Sequence, residues 1–356
     1  MNKATLAVFA VNDTYQIMVR TEQNSLMWIK AGEHCYYDHS NGILRSDTNI
    51  HRIAIPMLVL DKCGSYTICE RPIIERKPYF SETGEVKETA YTFRPVTGNK
   101  IRAYHIADAH NMIDAPARAA EAYGQFDFLI LNGDIPVHSG TCENFDNIYE
   151  LCGRLTQGNI PIVFSQGNHD MRGVCAEKLE DYTPTASGNL ITLSASADFG
   201  GLFSIAAKTS LIRTKNMETL FAATLSAKKK PNLSKRLSVK NNIPIRVYTS
   251  APSLFMTRLH ENAKSPFDIE NDIYNEWTKM LRYSIKSDVM ICGHLHEIAL
   301  DMPWCSEDYR GQPCPVAIMS ETDYKNYFVG AGFEFNKDGK IKITVTNFRR
   351  KYKKYF

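Results

Sequence analysis

The sequence predicts an α/β protein in which a small all-β domain precedes a core of alternating strands and helices. Two observations support this prediction. Residues 1–98 contain short β-branched and aromatic runs separated by turn residues such as Ser40-Asn41-Gly42. From residue 99 onward, apolar strands alternate with amphipathic helices, which is typical of a largely parallel sheet.

The N-terminal strands recur at the short intervals that are typical of a sandwich. They are predicted at residues 8–11, 16–20, 26–30, 53–59, 66–70 and 91–94. We therefore expect residues 1–98 to form an all-β, sandwich-like domain.

The core begins with strands predicted at 101–107, 126–131 and 160–165, separated by helices at 114–123 and 144–156. Asp114 is expected to cap the first helix and Gly124 to end it. A helix at 272–284 and strands at 288–292, 316–319, 327–335 and 341–348 complete the prediction. Residues 349–356 form a basic, aromatic tail, which we expect to be a solvated terminus.

Composition narrows the class of protein. A hydrophobic content of 44% argues against a disordered chain. No apolar run approaches the roughly 18 residues of a membrane span, so no membrane partner is expected. Nine cysteines without paired CxxC spacing, and no signal-peptide pattern, predict reduced thiols and a cytoplasmic location.

Four short motifs directly follow predicted strands, where open α/β sheets bind their ligands. They are Asp108-Ala109-His110, Gly133-Asp134, Gly167-Asn168-His169-Asp170 and Gly293-His294-Leu295-His296. Each motif alone is also compatible with a turn or a hydrogen-bonded core histidine. Together, their carboxylate, imidazole and amide groups suit divalent Mn, Fe, Zn or Ni. The set therefore predicts a two-metal hydrolase.

In this order the motifs resemble those of the calcineurin-like metallophosphoesterases, over residues 100–335. The resemblance implies a metallophosphoesterase-type β-sandwich core flanked by helices within residues 99–348. It implies two divalent metal ions and a hydroxide, activated by both metals, that hydrolyses a phosphate mono- or diester. The implied partner is a phosphorylated substrate of open class. Nucleic-acid binding is not expected, because the net charge of +3 is small for a chain of this size.

The resemblance also implies a role for each motif residue. Asp108, His110 and His296 would bind the first metal, Asn168 and His294 the second, and Asp134 would bridge both. His169 would act as general acid near the leaving group, held by Asp170.

Two positions depart from related patterns. The layout also resembles that of purple acid phosphatases, but Val137 stands where their iron-binding tyrosine is found, so no tyrosinate-bound iron is expected. The family also has a histidine at the end of a strand between the third and fourth motifs. Here that stretch is 247–252, and Ser250 offers only a neutral hydroxyl. Occupancy of the second metal site therefore stays open.

Residues 189–265 are anomalous in charge, with 12 Lys and Arg against three acidic residues. Without them the chain keeps 30 basic and 36 acidic residues, a net charge of −6. The segment has three interpretations: a flexible basic insertion, a phosphate- or nucleic-acid-attracting insertion, or translation out of frame. The third follows from codon degeneracy, since a shifted frame permits a family-like turn and helix there. We then expect loose structure in the segment.

Two other functions compete with hydrolysis. The first alternative is that the chain is an inactive or degraded phosphoesterase relative that acts as a binding protein. A basic binding module that uses residues 228–240 is the third possibility.

The out-of-frame hypothesis predicts an insertion and deletion pair in the gene near the codons for residues 189 and 265. Sequencing of the gene from several isolates tests it, and we expect a frame that restores acidic residues to the segment. One uninterrupted frame in every isolate would contradict the hypothesis.

Overall fold

The structure is a computed structural model. It describes residues 5–98, 100–171, 173–184, 190–193, 203–208, 246–250, 283, 287–303, 312, 314–336, 339–347 and 351–355.

Strands dominate the described part of the chain. The strands are β1 Leu6–Val11, β2 Thr14–Arg20, β3 Ser25–Ala31, β4 His34–Tyr37, β5 His39–Ser40, β6 Ile43–Leu44, β7 Ile50–Pro56, β8 Ser65–Glu75, β9 Glu82–Thr83, β10 Lys87–Thr92, β11 Lys100–Ile106, β12 Phe128–Asn132, β13 Ile162–Ser165, β14 Leu190–Leu193, β15 Phe203–Lys208, β16 Arg246–Ser250, β17 Val289–Cys292, β18 Ile298–Asp301, β19 Val316–Met319, β20 Glu321–Thr322, β21 Phe328–Asn336, β22 Ile341–Thr346 and β23 Lys351–Tyr355. The helices are α1 Met57–Cys63, α2 Asp114–Tyr123, α3 Asp146–Thr156 and α4 Leu179–Tyr182, with 3₁₀ turns at Cys142–Phe145, His169–Met171 and Ala176–Lys178.

A ten-stranded sheet forms the centre of the fold. Its order is β23-β22-β21-β11-β12-β13-β1-β2-β7, with β20 paired beside β21. The strands β11, β12, β13 and β1 run parallel to one another. The pairing of Phe9 with Ile162 makes the N-terminal strands part of this sheet. The predicted domain boundary near residue 98 stays a prediction, and the sheet runs across it.

Two further sheets complete the layers. One has six strands in the order β14-β15-β16-β17-β19-β18, and the other has five, built on β10-β8-β3-β4 with β9 beside β8. Residues from all three sheets, such as Ile130, Ile291 and Ile29, share one buried cluster. The predicted metallophosphoesterase-type β-sandwich core is therefore confirmed.

The alternation of side chains along β12 explains the layers. Phe128 and Ile130 point into the cluster between the sheets, whereas Leu129 and Leu131 point to the face covered by helices. All four are fully buried, because the central sheet is covered on both faces.

Helices α2 and α3 pack on the second face of the central sheet. The first was predicted with the same bounds, and its C-cap is Gly124 as expected. Asp114 lies in its first turn, while Ile113 occupies the N-cap. The second was predicted at 144–156 and begins at Asp146, after a 3₁₀ turn. Among the described residues, no helix has the length and apolarity that crossing a membrane would need.

The structure differs from the predicted elements at residues 57–59 and in the C-terminal tail, whose predicted solvation stays a prediction. Residues 57–59 were predicted to continue a strand but belong to α1. Proline ends the strand at Pro56, Met57 and Leu60 bury one face of the helix, and Gly64 caps it in the left-handed conformation. The predicted solvated tail contains β23, which pairs antiparallel with β22 along the sheet edge.

The anomalous segment is described only in part. Strands β14, β15 and β16 fall within residues 189–265, and β16 runs parallel to β17. The rest of the segment lies outside the described residues, so its predicted looseness stays a prediction. The predicted helix at 272–284 also lies outside them, apart from Tyr283.

Two buried polar side chains, His105 and Asn132, join the central sheet to the six-stranded sheet near the strand ends. His105 Nδ1 donates to the carbonyl of Met319 at 3.2 Å, and its Nε2 accepts from Asn132 Nδ2 at 3.1 Å. Asn132 also donates to the carbonyl of Ile291 at 3.1 Å. Burial lowers the pKa of His105 to about 3, although its bond to Met319 acts in the opposite direction. His105 is therefore neutral in the folded protein at neutral pH.

We expect His105 to make the folded state acid-sensitive. Below the unfolded pKa of about 6.5, the unfolded chain takes up a proton that the folded chain excludes. The unfolding free energy therefore falls as pH decreases, by about 2 kcal/mol at pH 5. His105→Gln has no titrating group at this position. Its unfolding free energy, measured with denaturant, should therefore fall on acidification to pH 5 by about 2 kcal/mol less than that of wild type.

His39→Gln is the matched control, because His39 is exposed and its replacement should leave the pH dependence unchanged. An equal acid response in wild type and His105→Gln would contradict a neutral, buried His105.

Candidate metal centre

All four sequence motifs lie at carboxyl ends of strands, as predicted. Asp108 follows β11, Asp134 follows β12, residues 167–170 follow β13, and residues 293–296 follow β17. The first three strands are parallel neighbours in the central sheet. Strand β17 belongs to the six-stranded sheet, so the site lies where the two sheets meet.

Backbone strain is concentrated at this place. In the described residues, ten non-glycine residues have positive φ, and seven of them belong to or border the site. They are Asp108, His110, Asn111, Asp134, His294, His296 and Tyr324. Such conformations cost energy and persist where the surrounding structure holds them, commonly at functional sites.

Asp108, His110 and His296 form a compact group of potential metal ligands. One ligand atom from each lies within 4.8 Å of the others. His296 Nε2 is 3.5 Å from Asp108 Oδ1 and 3.2 Å from His110 Nε2. These are the three residues that the family resemblance assigned to the first metal.

The chemistry of this group fits a divalent cation. Asp108 is fully buried, and its Oδ1 has no hydrogen-bond partner in the part of the chain that the structure describes. Burial, followed by the proximity of His169, lowers the pKa of His110 to about 3. A neutral imidazole beside a buried carboxylate supplies lone pairs and negative charge, which a bound metal would balance.

Charge acts differently on His296. Burial alone would lower its pKa, but the carboxylates of Asp108 and Asp134 outweigh burial and raise it. The same two carboxylates would attract a cation bound at this place.

Asp134, Asn168 and His294 were predicted to hold a second metal. Asp134 Oδ2 lies 3.9 Å from His294 Nδ1, and Asn168 is buried. Ser250 is the last residue of β16 and pairs with Cys292 of β17. Cys292 in turn precedes His294 by two residues. The backbone thus places Ser250 at the strand end where the family histidine was expected.

His169 and Asp170 lie in the third motif, but their predicted contact is wrong. His169 Nδ1 donates to the carbonyl of Val137 at 2.6 Å, so Val137 holds the ring. Asp170 Oδ2 instead accepts the backbone N–H of Gly167 at 2.6 Å and of Asp134 at 3.2 Å. Burial, and then the charge of Asp134, raise the pKa of Asp170 to about 8. Asp170 therefore joins two loops rather than orienting His169.

Glycine is required where these loops meet. A Cβ atom on Gly167 would overlap both the carboxylate and the backbone nitrogen of Asp134. The loops that follow β12 and β13 approach each other closely at this point, which explains the glycine at position 167.

Tyr324 is part of the site, and the sequence motifs did not identify it. Its hydroxyl lies 2.8 Å from His296 Nδ1, and its ring centroid lies 4.5 Å from that of His110. It follows His296 by 28 residues in a turn without metal-ligand spacing, so no local signal in the sequence marks it.

Comparison with known proteins gives the family. The family model for the calcineurin-like phosphoesterases matches residues 101–297, which is more than half of the 356 residues. This protein belongs to the calcineurin-like phosphoesterase family. A search of curated proteins found no match.

Three solved structures are similar to this chain to different degrees. The chain is similar to the purple acid phosphatase PPD1 from yellow lupin (Lupinus luteus) seeds, with 10% identity and a TM-score of 0.60, covering 98% of this chain and 73% of that one. It is also similar to a protein of Thermus thermophilus, with 8% identity and a TM-score of 0.39, covering 72% of this chain and 98% of that one. A Sphaerobacter thermophilus metallophosphoesterase shows 14% identity and a TM-score of 0.31, covering 70% of this chain and 88% of that one. At such identities the lupin structure supports the fold alone.

The hydrogen bonds of Asp170 predict a loss of stability in Asp170→Ala. Two buried backbone N–H groups would lose their acceptor, and each unsatisfied group costs about 1–3 kcal/mol. We expect the unfolding free energy, measured with urea, to fall by about 2–4 kcal/mol.

Asp181→Ala is the control, because Asp181 is exposed; its unfolding free energy should change by less than about 0.5 kcal/mol. Equal stability of Asp170→Ala and wild type would show that Asp170 does not join these loops.

Proposed function

We propose that this protein is a metal-dependent phosphoesterase that hydrolyses a phosphate mono- or diester at the site formed by the four motifs. The main support is the grouping of Asp108, His110 and His296, whose ligand atoms lie within 4.8 Å of one another at the ends of two sheets. Membership of the calcineurin-like phosphoesterase family supports the reaction class. The phosphatase named for the lupin structure is consistent with it.

Divalent metal ions bound here would supply a deprotonated water near neutral pH and would stabilise charge on the phosphoryl group. The protein's own residues prepare the site for them. Asp108 provides a buried carboxylate oxygen that lacks a hydrogen bond within the described residues, and His110 provides a neutral imidazole. Their burial keeps competing water away from the ligand atoms.

His169 is proposed as the general acid for the leaving group. Because its Nδ1–H donates to the Val137 carbonyl, Nε2 is the atom that takes up and releases a proton. The Val137 contact fixes the ring, so a leaving oxygen would always meet the same nitrogen. The ring also lies against His110, with centroids 4.6 Å apart, which keeps it beside the first metal group.

We propose that the two metals differ in affinity. The first group has three charged or imidazole ligands in contact, whereas the second is built from Asp134, Asn168 and His294. The register places Ser250, a neutral hydroxyl, at the neighbouring strand end. We therefore expect one tightly and one weakly bound ion per chain. Mn, Fe, Zn and Ni all suit the donor set.

The substrate class is open between monoesters, diesters, nucleotides and phosphoproteins, since the metal groups serve all of these chemistries. The cytoplasmic location predicted from the cysteines is retained as part of the proposal.

Hydrolysis by the full chain tests the proposal. Protein freed of metal with EDTA and reloaded with Mn²⁺ or Zn²⁺ should hydrolyse p-nitrophenyl phosphate or its bis ester. Asp108→Asn should lower kcat/KM by at least about 100-fold, because the loss of an outer-shell partner alone typically costs 10- to 100-fold. Asp114→Asn is the matched control, since the side chain of Asp114 is 80% exposed.

The outcomes separate the competing functions. Neither metal uptake nor turnover would defeat the enzyme proposal. Metal uptake without turnover would favour the alternative, an inactive relative that acts as a binding protein.

A further inference from the structure

Tyr324 lies beside the first metal group on a loop that none of the motifs includes. It follows β20, and its side chain is half exposed.

The side chain contacts both histidines of the first group. Its hydroxyl oxygen is 2.8 Å from His296 Nδ1. Its ring lies 4.5 Å from the His110 ring, tilted by 31°, and 5.0 Å from the His296 ring, tilted by 66°. Among the described residues, one tyrosine thus packs on both imidazoles.

The loop holds Tyr324 in an unfavourable conformation. Its φ is 61°, where a bulky residue is an outlier. Asp323 Oδ1 accepts the backbone N–H groups of Lys325, Asn326 and Tyr327, each at 2.9 Å. The N–H of Tyr324 itself donates to Thr322 Oγ1 at 3.0 Å. These bonds fix the turn that directs the ring toward the histidines.

The position of the hydroxyl bears on how His296 can bind a metal. His296 Nε2 faces Asp108 Oδ1 and His110 Nε2, so it is the nitrogen that points into the ligand group. The Tyr324 oxygen lies 2.8 Å from Nδ1 and 3.4 Å from Nε2 of this ring, so it rests against the face of the ring and is not in line with the Nδ1–H bond. An outer-shell side chain held against a ligating histidine limits the orientations of its ring.

We propose that Tyr324 is a positioning residue for the first metal: its hydroxyl lies against the His296 ring and its own ring packs against His110. This inference rests on the proposed metal-binding function of the same site. Tyr324 acts through the two histidines and supplies no ligand itself.

Tyr324→Phe tests the hydroxyl while keeping the ring. A calorimetric titration of the metal-free full chain with Mn²⁺ should show about 10- to 100-fold weaker binding at the tight site than in wild type. The melting temperature of the metal-free protein should stay within about 2 °C of wild type, because the contact joins partly exposed groups. Tyr324→Leu, which also removes the ring contact with His110, should bind Mn²⁺ more weakly still.

Tyr37→Phe is the matched control, since Tyr37 is 46% exposed and lies on β4, outside the site; its Mn²⁺ affinity should equal that of wild type. If p-nitrophenyl phosphate is a substrate, Tyr324→Phe should need about 10- to 100-fold more Mn²⁺ for half-maximal turnover and should approach the wild-type rate at saturation.

Wild-type Mn²⁺ affinity in both Tyr324 variants would overturn the inference and leave the proposed hydrolysis intact. A lower melting temperature of metal-free Tyr324→Phe with unchanged Mn²⁺ affinity would also overturn it, since the role would then be structural. Mn²⁺ binding by wild type without turnover would defeat the proposed function, while weaker binding by Tyr324→Phe would still support the inference. A wild-type chain that binds no metal would overturn both.

Discussion

The site depends on buried carboxylates that accept backbone N–H groups from other loops. Asp108 Oδ2 accepts from His294 at 2.7 Å, and Asp134 Oδ1 accepts from His169 at 2.6 Å. Asp170 accepts from Gly167 and from Asp134. Each motif is thereby bonded to another motif that is distant in sequence. The bonds to the carboxylates of Asp108 and Asp134 are charge-assisted, and such bonds are roughly twice as strong as neutral ones. The bond from His294 to Asp108 joins loops from both sheets.

These bonds explain how the protein keeps strained backbone and concentrated charge in one place. Asp108, Asp134 and Asp170 are fully buried together. Burial and the charge of Asp134 raise the pKa of Asp170 to about 8, so Asp170 is mostly protonated at neutral pH. Among the described residues, Asp108 Oδ1 has no hydrogen-bond partner. The buried carboxylates of Asp108 and Asp134 suit a cation, which is the physical reason that the proposed function and the fold agree.

Beneath the site, a second polar layer keeps the two sheets in register. His105 and Asn132 connect β11 and β12 to the carbonyls of Met319 and Ile291 in the six-stranded sheet. The bonds cross the sandwich at the last or next-to-last residue of each strand. The positions of Asp108 and His294 relative to each other therefore depend on this layer as well as on apolar packing.

Much of the fold was predictable from the sequence, for identifiable reasons. Strands such as β12 are continuous apolar runs buried on both faces, and α2 has its Gly124 stop, so local patterns sufficed. The sequence pattern failed at α1, where Pro56 and Gly64 bound a helix too short to show periodicity. It also failed at β23, because an edge strand is decided by its pairing with β22.

The sequence by itself determined which motifs lie together, because four motifs after four strands must converge when those strands end at one edge of the packed sheets. Only the tertiary structure decided what each side chain contacts. Asp170 bonds to Gly167 and Asp134 instead of His169, and Tyr324 reaches His296 from 28 residues further along the chain. Spacing along a strand sets where a residue emerges, whereas hydrogen-bond partners depend on how separate loops pack in three dimensions.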